Sequence, residues 1–271
     1  MRELAAFFGC EPSEAAVYEH RLATDPDEYA SRLLRATGTE LLLVDDGFPP
    51  PGEGIEWREL GELAGCESKP ILRIESHAAE EIPTARERGY VALKTIAAYR
   101  GGLDRVSVEV VAALEANEAT GAPLPVQVHC GFGDSDLWLA RGDPSHLKPL
   151  VERFRDTRFV LLHCYPFVRE AGWLAHVYGN VWFDLSLTIP HVARPAEALR
   201  EALELAPVSK LLYASDAART PELYYLASKW WREALAEVLS EALPADEAER
   251  DGRAILRENA LALYGLDLPG N

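Results

Sequence analysis

The run PVQVHCG (residues 125–131), followed after a helical interval by RFVLLHCY (158–165), decides how the chain is read. Each is a short apolar run, rich in β-branched or aromatic residues and bounded by Pro, Gly or charge, as buried strands are. Working outward, five more runs share this character: ELLLVDD (40–46), PILRIES (70–76), YVALKTIA (90–97), VWFDLSLT (181–188) and KLLYASDA (210–217). Amphipathic stretches separate them, among them LDRVSVEVVAALEANEAT (103–120) and SHLKPLVERFRD (145–156). Ser145 suits a helix start and Gly121 a helix stop. The end of the chain reads as helix over 221–243 and 246–265, and so do the first 39 residues.

Strands that alternate with helices at about 30 residues per unit predict a parallel sheet in an α/β protein. No GxGxxG turn follows an early strand, so the spacing favours a (β/α) TIM-like barrel over a doubly wound sheet. The whole chain, 1–271, is expected to form one such domain, with 1–39 a helical lead-in and 218–271 C-terminal helices. Seven strands are one short of a closed barrel, which is therefore expected to be distorted or incomplete at its first strand. N-terminal residues or another subunit are expected to fill that gap.

Charge and cysteine content narrow the partners. The chain carries 44 acids against 27 bases, a formal charge of −17, which argues against nucleic acid and anionic membranes. No apolar run approaches the roughly 20 residues of a membrane span. Cys10, Cys66, Cys130 and Cys164 are far apart, and the opening MRELAAFFGCEPSE does not read as a secretion signal. A cytoplasmic protein with a small-molecule substrate is expected, and a homo-oligomer is compatible with this.

Side chains alternate faces along a strand, so parity sorts the polar residues. Gln127 and His129 oppose Val126, Val128 and Cys130; Lys94 opposes Val91 and Leu93; Asp184 and Ser186 oppose Val181, Phe183 and Leu185. His163 falls with Phe159 and Leu161, opposite Val160, Leu162 and Cys164, and Asp216 is in phase with Leu212 and Ala214. The apolar sets are expected to meet outer helices, leaving Lys94, His129, His163, Asp184 and Asp216 to face the barrel interior. They share a level near the carboxyl ends of their strands, where such barrels build their sites. Isolated buried charge costs several kcal/mol, so these groups call for mutual pairing or a metal.

Lys94, His129, His163 and Asp216, in this strand order, resemble the metal site of the amidohydrolase superfamily. The phrases KTIAAYRGGLD (94–104), VQVHCGFGDSD (126–136), LLHCYPF (161–167) and LLYASDA (211–217) resemble its amidohydrolase-related branch, found alone or fused to glutamine synthetase. The resemblance implies a distorted barrel holding one or two divalent ions, often zinc. His129 would then be a metal ligand, Asp216 a ligand and proton carrier, and His163 a second ligand or the group orienting water. Lys94 matches a lysine that bridges two metals when carboxylated. The implied activity is hydrolysis of a small amide or related substrate by metal-activated water. The alternatives are a non-oxidative decarboxylase and a non-catalytic binding or regulatory module. The family's first-strand His-x-His pair occurs nowhere in the sequence. Either a segment upstream of Met1 carries it or the chain is a shortened relative, and a chain of this length is expected to bind metal poorly.

The remaining polar residues receive plainer expectations. Tyr99 and Arg100 follow the Lys94 strand in a loop that would meet substrate. Arg73 and Glu75 share a strand face and are expected to pair inside the barrel. Asp134 and Asp136 are expected to shape a turn, and Trp230, Trp231, Tyr224 and Tyr225 to serve the core. Cys130 and Cys164 are expected to be small buried apolar residues.

Overall fold

Among the described residues seven short strands lie side by side in chain order, every neighbouring pair parallel: β1 Leu41–Asp45, β2 Glu67–Arg73, β3 Ala92–Thr95, β4 Val126–Cys130, β5 Phe159–His163, β6 Val181–Asp184 and β7 Leu211–Leu212. The structure, a computed structural model, describes residues 1–50, 52–218 and 220–268. The expected α/β architecture is present as a curled sheet, a barrel incomplete by one strand. The lead-in is α1 Arg2–Phe8, α2 Glu14–Ala23 and α3 Pro26–Arg35; α4 Trp57–Ala64, α5 Val108–Ala119, α6 Lys148–Arg153, α7 Val168–Val177 and α8 Pro195–Leu203 connect strands. After β7 come α9 Pro221–Ala242, α10 Ala245–Arg253, a π-helical turn Ala254–Glu258 and α11 Asn259–Tyr264. Among the described residues no helix is long and apolar enough to cross a membrane.

Local chemistry explains the helix ends. Ser13 and Ser107 each accept a backbone N–H of the first turn, and Asp25 does so with Pro26 at the first helical position. Ser145 does not start its helix: Asp143 accepts its N–H at 2.8 Å, and Pro144–Leu147 form a 3-10 turn ahead of α6. Gly121, at φ 72°, follows the end of α5 as expected.

The two faces of the sheet bury different sets. Leu72, Leu93, Val126, Val128, Phe159, Leu161, Val181, Phe183 and Leu211 join the helices in the outer core. Ile71, Ala92, Val160, Leu162 and Leu212 face inward, where Leu263 and Tyr264 of α11 pack against them. Gln127, also inward, donates to the Tyr264 hydroxyl at 2.7 Å. Parity therefore holds on β4 and β6 but not on β5, where Phe159 and Leu161 point outward. His163 and Cys164 sit at φ 68° and 65°, and this left-handed turn breaks the alternation so that Cys164 joins the outer core.

At the seam between β7 and β1, where N-terminal residues or another subunit are expected, the C-terminal segment packs among the described residues. Ile255 accepts the Tyr213 N–H at 3.1 Å, and the Asn259 amide donates to the Leu211 carbonyl at 2.9 Å, so this segment satisfies the β7 edge. Arg257, on the same segment, pairs with Glu40 just before β1 at 2.8 Å. The lead-in helices pack instead on α9, through Leu4, Val17, Tyr29 and Leu33 against Tyr225 and Leu226. Glu222 ties that contact, accepting from Tyr29 at 2.9 Å and Arg21 at 3.0 Å.

Candidate active site

The carboxyl ends of the strands bring charged and imidazole side chains together. Lys94 Nζ on β3 lies 3.1 Å from Asp45 Oδ2 at the end of β1. The same carboxylate receives Arg73 of β2 through two nitrogens, Nε reaching Oδ1 at 3.2 Å and Nη2 reaching Oδ2. All three side chains are only 12–13% exposed. On β4 and β5 the His129 and His163 rings meet edge to face with centroids 4.5 Å apart. His163 Nδ1 is 3.8 Å from Asp216 Oδ2, and Asp216 keeps 37% of its side chain exposed. Tyr99 packs its ring 4.7 Å from His129, and its hydroxyl accepts the Asp134 N–H at 2.9 Å.

Buried hydrogen bonds orient the imidazoles. Asp184 Oδ1 accepts from the His163 N–H at 2.8 Å, the Ser186 N–H at 2.9 Å and the Ser186 hydroxyl at 2.7 Å. Because the ionised carboxylate takes the Ser186 proton, Ser186 Oγ accepts from His163 Nδ1 at 2.7 Å, and Nε2 keeps its lone pair. The Thr188 hydroxyl donates to the His163 carbonyl at 2.6 Å. These bonds hold His163 in a left-handed conformation that costs about 1–3 kcal/mol for a non-glycine residue. A backbone hydrogen bond at Phe132 favours the protonated form of the His129 ring, as donation to a carbonyl does, and the tautomer is assigned on that ground. His129 Nε2, buried and without a hydrogen-bond partner among the described residues, keeps the free lone pair.

A family model described as Amidohydrolase matches residues 70–266. The chain belongs to the amidohydrolase family. Over 162 residues it is 38% identical to Protein fluG of Emericella nidulans, a match covering 57% of this chain and 19% of that protein. The chain thus spans less than a fifth of that relative's length. Its fold is similar to that of a candidate metal-dependent hydrolase from Lactobacillus casei ATCC 334, with TM-score 0.80, 28% identity, and coverage of 90% of this chain and 78% of that one. A uronate isomerase from Bacillus halodurans C-125 shares the fold at TM-score 0.72 and 13% identity, covering 98% and 76% of the two chains. A fold carried by an isomerase as well does not select a reaction; the site has to do that.

Amidohydrolases usually bind divalent metals, and the donor set of this chain decides whether it can do so as folded. Among the described residues no three His, Cys, Asp or Glu side chains converge closely enough to hold an ion. Burial, His163 and the Lys94 ammonium hold the His129 imidazole well below its ordinary pKa; burial and Lys94 do the same to His163. Lys94 disfavours a proton on both rings, whereas Asp216 favours one on His129. His129 Nε2 is a suitable donor, yet the set as folded does not fit a divalent ion.

The structure places the residues singled out in the sequence as follows. Lys94, His129, His163 and Asp216 come together, and Tyr99 touches His129, whereas Arg100 is exposed. Arg73 and Glu75 do not pair. Arg73 binds Asp45, and Glu75, in a 3-10 turn beyond β2, accepts from the Thr95 hydroxyl and the Ile96 N–H. Asp134 shapes a turn, accepting the Leu137 N–H at 3.0 Å, and Trp231, Cys130 and Cys164 are fully buried. Asp45 escapes the sequence reading, although its place at a strand end in phase with Leu41 and Leu43 is a usable signal. Beside the charged ring lies a cleft of about 850 Å³, lined by Phe132, Tyr165, Thr188, His191 and Arg194 among others. None of Lys94, His129, His163 or Asp216 lines it, so it is not the centre of this site.

The buried Asp184 yields a pH test. Burial, only partly offset by its hydrogen bonds, pushes its carboxyl from 3.8 up to about 6. A carboxyl raised on folding favours the native state while protonated, and that advantage is lost as pH rises through its folded value. Denaturant melts of wild type and Asp184→Asn should show the wild type losing up to about 3 kcal/mol relative to the variant as pH rises through this range. A constant difference would refute the shift.

Proposed function

We propose that this amidohydrolase hydrolyses a C–N bond in a small molecule, using the groups at the carboxyl ends of β3, β4, β5 and β7. The observation that carries this reading is His129 Nε2, a buried, unpartnered lone pair beside Asp216 and His163. A buried acceptor without a partner is costly in a folded protein unless a ligand completes it.

Crowding by protein atoms raises the Asp216 carboxyl above its usual range, although its side chain remains partly open. Such a carboxylate is a better base toward an attacking water and a better acid toward the departing amine. His129 Nε2 accepts a hydrogen bond from the substrate or that water and fixes its position. The Asp184–Ser186 pair keeps the His163 tautomer fixed beside Asp216. No step is assigned to a metal.

The test is a panel of small amides assayed by release of amine, with and without added zinc. Asp216→Asn should lower kcat at least about a hundredfold, the low end for loss of a general base, with KM little changed. Zinc retention after dialysis should be weak, and weaker still in His129→Ala. Cleavage that survives in Asp216→Asn would overturn the assignment, and tight stoichiometric zinc would overturn the donor argument.

A further inference from the structure

Asp45, Arg73 and Lys94 stand on three consecutive strands, with Arg73 and Lys94 paired in register across β2 and β3. Two cations share one carboxylate, Asp45, and the charge of one of them, Lys94, also bears on Asp216. The Asp45 contact leaves the Lys94 ammonium, with three donors, capacity for further acceptors. Arg73 is committed to Asp45 through Nε and Nη2, which clamps the carboxylate and fixes where Lys94 points.

Lys94 on β3 is in register with Gln127 of β4, two residues before His129, and its charge bears on Asp216 and both imidazoles. A neighbour of opposite demand completes the picture: His129, nine-tenths buried, offers the Nε2 lone pair, and nothing among the described residues donates to it. A ligand that satisfies both groups presents an anionic oxygen to Lys94 and an N–H or O–H to His129.

We infer that the site takes a small carboxylate whose acid group is held by Lys94 and whose adjacent N–H is accepted by His129 Nε2. N-acylated amino acids have this arrangement. Lys94 then acts as an ammonium and not as a carbamate, since a carbamate would remove the cation that pairs with Asp45 and put an anion in its place. The inference deepens the amide-hydrolase reading and rests on it for the place of reaction.

Binding without turnover tests it. The ¹H–¹⁵N spectrum of the full chain is titrated with N-acetylglycine, with its neutral analogue N-acetylglycinamide, and with N-acetylsarcosine, which keeps the charge but lacks the N–H. N-acetylglycine should saturate a defined set of shifts including the His129 ring, and each analogue should bind at least about tenfold more weakly. Lys94→Met should erase the preference for the acid over the amide, and Lys94→Arg should restore it in part. His129→Ala should erase the preference for N-acetylglycine over N-acetylsarcosine.

Circular dichroism and melting identify any variant that fails to fold, and the wild-type comparison of the three probes stands without them. Equal wild-type affinities, no N-acetylglycine binding, or an unchanged preference in folded Lys94→Met would each overturn the inference. So would divalent-ion uptake that depends on bicarbonate and on Lys94. A chain that binds as described but cleaves no amide overturns the hydrolase reading alone. One that cleaves neutral amides as readily as acidic ones overturns only this inference.

Discussion

Replacing Asp45 by alanine is expected to destabilise the folded chain by about 4 kcal/mol at neutral pH, in the range for breaking a buried ion pair from one side. The reason is what the substitution leaves behind. Arg73 and Lys94 are nearly buried and share this carboxylate, so its loss places two unpaired cations beside each other. Losing an attractive pair on the surface would cost about 1 kcal/mol or less, and this site is not a surface. Lys94→Met alone should be mild, because Asp45 keeps Arg73 as partner. The double variant Asp45→Ala, Lys94→Met should recover part of the loss, since one stranded charge is gone.

The pH dependence of that defect has a definite sign. Burial pushes the Asp45 carboxyl up, but the Lys94 charge and the Arg73 hydrogen bond outweigh it and hold the group below 3.8. A carboxyl lowered on folding stabilises the native state above its unfolded value, and that contribution fades as pH falls through the folded one. The gap between wild type and Asp45→Ala should therefore be full at neutral pH and shrink in acid. Chemical denaturation at several pH values measures it. A gap that stays constant or grows in acid would show that Asp45 acts by packing and not by charge.

Asp45 also marks where the sequence stops being legible. Lys94, His129, His163 and Asp216 can be read because a polar side chain inside an apolar strand is costly, and one repeated at the same level on several strands has little reason to persist except a shared site. An acid at the end of ELLLVDD looks the same whether it ends a strand in water or clamps two cations from the next two strands. That distinction depends on partners 28 and 49 residues away, Arg73 and Lys94. The misassigned face of β5 has another physical source. Alternation assumes extended backbone, and the left-handed His163 and Cys164 leave no trace in the pattern of hydrophobicity. The missing strand is legible from the count, but its cover is not. Arg257 meets Glu40 across 217 residues, and a helix that satisfies a strand edge carries no strand-like pattern to find.

Gly131→Ala should cost about 4 kcal/mol or more and disorder the His129 corner of the site, an effect that its backbone angle alone does not explain. Gly131 has φ 68° and Gly9 has φ 69°, so alanine meets nearly the same left-handed strain at both, about 1–2 kcal/mol. Around Gly9 an added Cβ would have nothing within 4 Å. At Gly131 it would overlap the Tyr165 carbonyl oxygen and lie 3.0 Å from the carbonyl carbons of Cys164 and Tyr165. Those atoms are backbone and cannot swing aside as a side chain can. They are also fixed by use: Phe132 donates to that Tyr165 carbonyl at 2.7 Å, and Gly131 itself donates to Gly142 at 2.8 Å. Relief must separate the β4 and β5 exits, which pulls His129 from His163. Gly9→Ala should lose about 1 kcal/mol with the His129 ring resonance unmoved, and Gly131→Ala several times that with the resonance shifted. Equal losses at the two glycines would mean that the φ angle, and not the close passage of β5, requires glycine at 131.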